Sequence, residues 1–98
     1  MKVTFDRAAS DDLDRAFGWI AKDSPRAAYE LIARIEAKVG QLATPELTYM
    51  GRPGLVEGTR ELLEWPYIIV YRVYEDLEEI VIVSVVHGAQ DREKERKS

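Results

Sequence analysis

The chain has 98 residues, no cysteine, one histidine and a formal net charge of −4, with 46% apolar and 33% charged side chains. That composition reads as one globular domain with a single core, residues 1–98. It excludes disulfides and thiolate metal sites, and a lone histidine builds no metal cluster. No apolar run reaches the ~18 residues that span a bilayer, and Asp6 comes too early for a secretory signal, so the expected setting is the cytoplasm. Acidic side chains exceed basic ones in both halves. Generic nucleic-acid binding draws on phosphate neutralisation and asks for the reverse. An acidic chain is better suited to a basic segment of a protein partner.

Val3-Thr4-Phe5 reads as a short strand. Ala8-Ala9-Ser10 then opens a helix, with Ser10 as N-cap and Asp11, Asp12 and Asp14 at the positive end of the helix dipole. Leu13, Ala16, Phe17 and Ile20 form its apolar stripe. Ser24-Pro25 restarts the chain as a cap followed by a proline at the first helical position. Ala28, Leu31, Ile32, Ile35, Val39 and Leu42 make the second stripe, which Pro45 stops. The short turn between the two helices predicts an antiparallel hairpin.

Residues 44–58 form a glycine- and proline-rich loop, long for a small domain and of the kind that carries function. Thr59 to Trp65 reads as a strand, with Pro66 breaking its ladder at a tight connection or bulge. Tyr67 to Tyr74 is the strongest strand, and Glu75-Asp76-Leu77-Glu78 a polar hairpin turn. Glu79 to His87 returns antiparallel. Its run Ile80 to Val86 is apolar on both faces, which predicts a central strand covered on both sides. The helical hairpin supplies one cover. No helix remains for the other, so the second face predicts a partner. Residues 89–98 alternate in charge and read as a flexible, solvated tail. The fold class is α+β: a strand, an antiparallel helical hairpin, then three antiparallel strands.

No convincing active site stands out. His87 ends the last strand, where it could face a groove; as a general base it would need a nucleophile or substrate in reach. Arg60 and Arg72, on neighbouring strands, could project from one face and form a basic pocket with Arg52 and Arg92. The competing reading pairs the arginines across strands with Glu61, Glu64 and Glu79. Trp65, Tyr67 and Tyr71 could stack bases, although strand aromatics are more often core. Trp19 either seals the hairpin or anchors a partner. Gly51-Arg52-Pro53-Gly54 lacks the end of a phosphate-binding loop.

Gly51-Arg52-Pro53-Gly54, Thr59-Arg60-Glu61-Leu62, Tyr67-Ile68-Ile69-Val70-Tyr71-Arg72-Val73 and Val86-His87-Gly88, in this order and spacing, resemble the ParE branch of the ParE/RelE toxins of bacterial type II toxin-antitoxin modules. The resemblance covers nearly the whole chain. It implies a toxin neutralised by a cognate antitoxin, whose C-terminal segment wraps the toxin across hairpin and sheet in a hetero-oligomer. ParE-like members block DNA gyrase by binding. RelE-like members cut messenger RNA on the ribosome, and that endoribonuclease is the alternative. RelE-like proteins resemble Tyr-Arg-x-x-Tyr-Arg where this chain has Ile68 for the first arginine. No tyrosine follows Tyr74, and Ala89-Gln90 stand where many relatives have an arginine. These departures favour a gyrase-binding inhibitor over a catalyst, with no catalytic residue, cofactor, metal or membrane implied. The candidates for target contact are Arg52, Arg60, His87 and Arg92; those for antitoxin contact are Trp19, Trp65, Tyr71 and Arg72.

Overall fold

The structure is a computed structural model and describes residues 1–89. The elements are β1 (Lys2–Phe5), α1 (Arg7–Ala21), α2 (Pro25–Gln41), a 3-10 turn (Pro45–Leu47), β2 (Arg52–Pro53), β3 (Arg60–Glu64), β4 (Tyr67–Tyr74), a second 3-10 turn (Glu75–Leu77) and β5 (Glu79–His87). The five strands form one sheet in the order β1-β5-β4-β3-β2. β1 runs parallel to β5 and every other pairing is antiparallel. The fold is therefore the expected α+β arrangement, with β2 and the two 3-10 turns added inside stretches read as loop and turn.

The cap of α1 is Asp6, four residues before the expected one. Asp6 is extended, and its carboxylate takes the Arg7 N–H at 2.8 Å, so Ser10 lies inside the helix. Asp11, Asp12 and Asp14 are consequently past the first turn, and Asp12 has a different task described below. α2 starts as expected: the Ser24 hydroxyl accepts the Ala27 N–H at 3.1 Å with Pro25 at the first position. It ends at Gln41, ahead of Pro45, which opens the first 3-10 turn.

The helical hairpin lies on one face of the sheet. Ala9, Ala16, Leu31, Ile35, Val39 and Leu42 from the helical side meet Leu62, Tyr67, Ile69, Tyr71, Ile80, Ile82 and Val85 from the strands. Small residues of α1 and branched residues of α2 let the two layers approach closely, and burial of this cluster is the main driving force for the fold. β5 lies inside the sheet between β1 and β4, and β4 is the middle strand of the five. The alternation of β5 is interrupted: Val70 pairs with Ser84 but Tyr71 with Ile82, leaving Val83 as an extra residue. This bulge lets Ile80, Ile82 and Val85 all reach the core. The helix-side face is thus covered. On the other face Val70, Val81 and Val86 are half-buried, and no helix or strand of the described residues lies over them.

Trp65 and Pro66 make the two-residue connection between β3 and β4, with Glu64 opposite Tyr67. The loop after α2 is fastened from inside. The Tyr71 hydroxyl donates to the Thr48 carbonyl at 2.9 Å and accepts the Gly51 N–H at 3.1 Å. Gly51 is required there by contact: a Cβ would sit 2.6 Å from the Glu61 carbonyl oxygen and 2.9 Å from the Tyr71 ring.

Candidate functional site

The strand register decides which arginines share a face. Arg60 pairs with Tyr71, so it projects on the helix side. Arg72 is one residue further along and points the opposite way. Arg52 pairs with Glu61, which is opposite Val70, and this places Arg52 on the face of Arg72. The expected four-arginine pocket is therefore not formed. Arg92 lies outside the described residues, as does the tail from Gln90 onward.

Each described arginine of the sheet has its own partners. The Arg60 guanidinium donates to the carbonyls of Tyr49 and Gly51 and lies over the Tyr49 ring, 5.6 Å from its centroid. Arg52 Nε donates to Glu61 Oε1 at 3.3 Å, and Glu61 is only 4% exposed. Here the cross-strand ion pair is the reading that holds. The Leu55 N–H also donates to this carboxylate, at 3.4 Å from Glu61 Oε2. Arg72 donates a long bond, 3.4 Å, to the Glu57 carbonyl. Glu64 pairs not with a strand arginine but with Arg34 and Lys38 of α2, at 3.1 and 3.5 Å. Tyr49 donates its hydroxyl to Glu75, and that bond, ahead of other causes, raises the phenol above its ordinary pKa.

Of the proposed antitoxin contacts, Tyr71 is a correction. Its side chain is 0% exposed and both bonds of its hydroxyl are internal, so it is a core residue. Trp19 and Trp65 are 71% and 70% exposed. Tyr29, Leu55 and Leu77 are exposed to a similar degree, at 68%, 62% and 71%. Trp19 leaves a cavity open beside the hairpin, lined also by Ala27, Leu31 and Arg34 of α2, and the Lys22 ammonium lies over its ring, 5.3 Å from the centroid.

His87 packs edge-on against Tyr67, with ring centroids 5.5 Å apart. Its Nδ1 is buried and has no hydrogen-bond partner among the described residues. Burial raises the Tyr67 phenol above its ordinary pKa. Both side chains line a groove of about 890 Å³, together with Asp12, Arg15, Gly18, Trp19, Lys22 and Val85. Of the α1 wall of this groove the sequence reading named Trp19 as a site residue and missed Asp12, Arg15, Gly18 and Lys22. The signal of the wall was present: Asp12, Arg15, Trp19 and Lys22 recur at helical spacing beside the core stripe.

No set of three or more His, Asp or Glu side chains among the described residues could hold a metal ion. No helix among them is long and apolar enough to cross a membrane.

Residues 3–92 match the sequence model of a family described as the ParE toxin of the type II toxin-antitoxin system parDE. A Sinorhizobium fredii (strain NBRC 101917 / NGR234) protein named "Putative toxin Y4kP" is 44% identical over 80 residues, 80% of this chain and 78% of that protein. Among solved structures, a chain of the chromosomal ParDE system of P. aeruginosa superposes with a TM-score of 0.75 at 28% identity, covering 89% of this chain and 95% of that one. A chain of the RelBE2 toxin-antitoxin complex of Mycobacterium tuberculosis gives 0.58 at 28% identity, covering 88% and 95%. The α+β fold, the matched residues and these relatives agree: the chain belongs to the ParE family of type II toxin-antitoxin toxins.

Proposed function

We propose that this toxin is held inactive by a cognate antitoxin and that it acts by binding DNA gyrase, without chemistry of its own. The observation that carries the binding reading is the engagement of its arginines. Cleavage of RNA requires positive charge converging on the scissile phosphate, in a geometry prepared before the reaction. Here Arg60 is bonded to backbone carbonyls on the helix side of the sheet. Arg52 is paired with Glu61 on the other side. Ile68 stands where RelE-like proteins carry an arginine, and the chain as a whole is acidic.

The antitoxin reading draws on two supports. The half-buried sheet face and the two exposed tryptophans call for cover by another chain. The M. tuberculosis neighbour is a chain of a toxin-antitoxin complex. Trp19, Trp65 and Arg72 are the antitoxin contacts under this reading. Arg52 and His87 are left for the target, and Arg60 serves to position the 44–58 loop.

Induction of the toxin in cells tests the proposal. The expected outcome is a DNA damage response and filamentation with cellular messengers intact. Prompt messenger cleavage on translating ribosomes would replace it with the endoribonuclease reading, for which the RelBE2 likeness supplies the scaffold.

A further inference from the structure

The sheet ends at β2 on one side and at β1 on the other. β2 is two residues long and one of them is Pro53, which lacks an N–H, so it offers little to a further strand. β1 differs. The N–H groups of Lys2 and Asp6 donate to the carbonyls of Glu78 and Ile82 at 3.0 and 2.9 Å, both toward β5. Backbone groups alternate between the two edges of a strand, so Val3 and Phe5 direct theirs outward. No strand lies beside them among the described residues.

This edge is complementary to itself. Laid antiparallel on a second copy about a two-fold axis at Thr4, Val3 of each chain falls opposite Phe5 of the other. All four residues direct their N–H and C=O groups at the partner, so both pairs are hydrogen-bonded pairs. An axis at Val3 or at Phe5 leaves only one such pair within β1, so the register is set. Side chains agree with it. Val3 and Phe5 pack toward the core, on the helix side. Across the axis they meet as a β-branched and an aromatic residue, a favourable cross-strand pair. On the open side Thr4 faces Thr4, and the exposed Lys2 faces the exposed Asp6 of the other chain. The chain's net charge of −4 opposes association at random, and this local match of opposite charges selects one arrangement.

An axis of this kind joins the two sheets and puts both helical hairpins on the same side. On that side Phe5, Leu13, Phe17 and Ile32 line an apolar groove of about 310 Å³. Phe5 places the groove at β1, so the two grooves lie on either side of the axis. Asp14 and Glu36 line it as well, and their repulsion across the axis is a term that salt screens.

We propose that β1 is a self-association edge: two copies of this chain pair through it, antiparallel and centred on Thr4, into one continuous sheet. The inference rests on neither the gyrase nor the antitoxin reading. Four residues of strand give only about 13 Å of edge, so the pair is a transient one that fills as concentration rises.

A chain without cysteine makes the test direct. Across a pair that does not share hydrogen bonds, the two Thr4 Cα atoms lie about 4.5 Å apart, within disulfide reach. The two Lys2 Cα atoms lie about 14 Å apart, outside it. Under mild oxidation of the full chain at about 50 μM, Thr4→Cys is expected to form a covalent dimer at least about tenfold faster than Lys2→Cys. Adding Val3→Pro to Thr4→Cys removes an outward N–H and no bond to β5, and is expected to slow the dimer by at least about tenfold. Sedimentation equilibrium checks the chain without cysteine. The mass of the parent is expected to climb toward that of two chains, while Lys2→Glu, which sets like charges opposite each other, stays nearer one. Equal oxidation rates for T4C and K2C overturn the proposal. So does a parent whose mass stays at one chain, or a dimer that Lys2→Glu leaves as strong. None of these results bears on gyrase or antitoxin binding, so the proposed function stands or falls separately.

Discussion

Replacing Tyr71 by phenylalanine removes one oxygen atom and leaves the core ring in place. That oxygen joins three segments: it sits on β4, donates to Thr48 at 2.9 Å and accepts from Gly51 at 3.1 Å. Thr48 is 2% exposed, so water cannot readily replace the lost partner. A buried polar group left unsatisfied costs about 1–3 kcal/mol. Two such groups, with the carbonyl suffering less than the N–H, give an expected loss of about 2–4 kcal/mol. With a slope near 1 kcal/mol per molar urea for a chain of this size, the unfolding midpoint falls by about 2–4 M at unchanged slope. Equilibrium urea unfolding followed by tryptophan fluorescence measures this directly. A loss below about 0.5 kcal/mol would refute the claim that Tyr71 fastens the loop from inside. Under conditions where both proteins are folded, Tyr71→Phe leaves antitoxin affinity unchanged, because the side chain has no exposed surface.

Gly51→Ala drives a methyl group against the Glu61 backbone, which cannot yield as a side chain could, and is expected to destabilise by about 1–3 kcal/mol in the same unfolding assay. Stability also depends on alkaline pH. Tyr49 and Tyr67 have raised pKa values in the fold, so as pH rises past about 10 the unfolded chain ionises first and stability declines toward their folded values. Thermal unfolding across that range, with phenolate absorbance tracking late-titrating tyrosines, is the check; constant stability through it would contradict the burial of Tyr67 and the Tyr49–Glu75 bond. The free toxin is expected to enhance the fluorescence of a dye that binds apolar surface and to aggregate on concentration. Antitoxin should suppress both, and a free chain that stays monomeric and dark would contradict the open-face reading.

The strongest elements were legible because local signals agreed. Ser24 and Pro25 marked the start of α2, and the β-branched, aromatic runs marked β4 and β5. The start of α1 was misread because Asp6 and Ser10 are both competent caps, and only the turn out of β1 selects between them. The Val83 bulge lies within a uniformly apolar run and leaves no trace in composition. Face assignment of the arginines depends on the parity of the register: one residue separates a shared pocket from two opposite faces. Tyr71 and Trp19 show the same limit from the side of the site. Both are aromatic and lie within regular elements, but one is wholly buried and the other mostly exposed. The groove beside His87 exists because β1 is shorter than β5, a tertiary fact that neither strand announces alone.

The most direct test of the central claim combines purified toxin, gyrase and supercoiled plasmid, with antitoxin added in steps. A binding inhibitor of gyrase is expected to abolish supercoiling, trap cleaved DNA and lose both effects as antitoxin reaches equivalence. Undiminished supercoiling at every toxin concentration, with the toxin folded and able to bind its antitoxin, would contradict the account and direct attention to the ribosome.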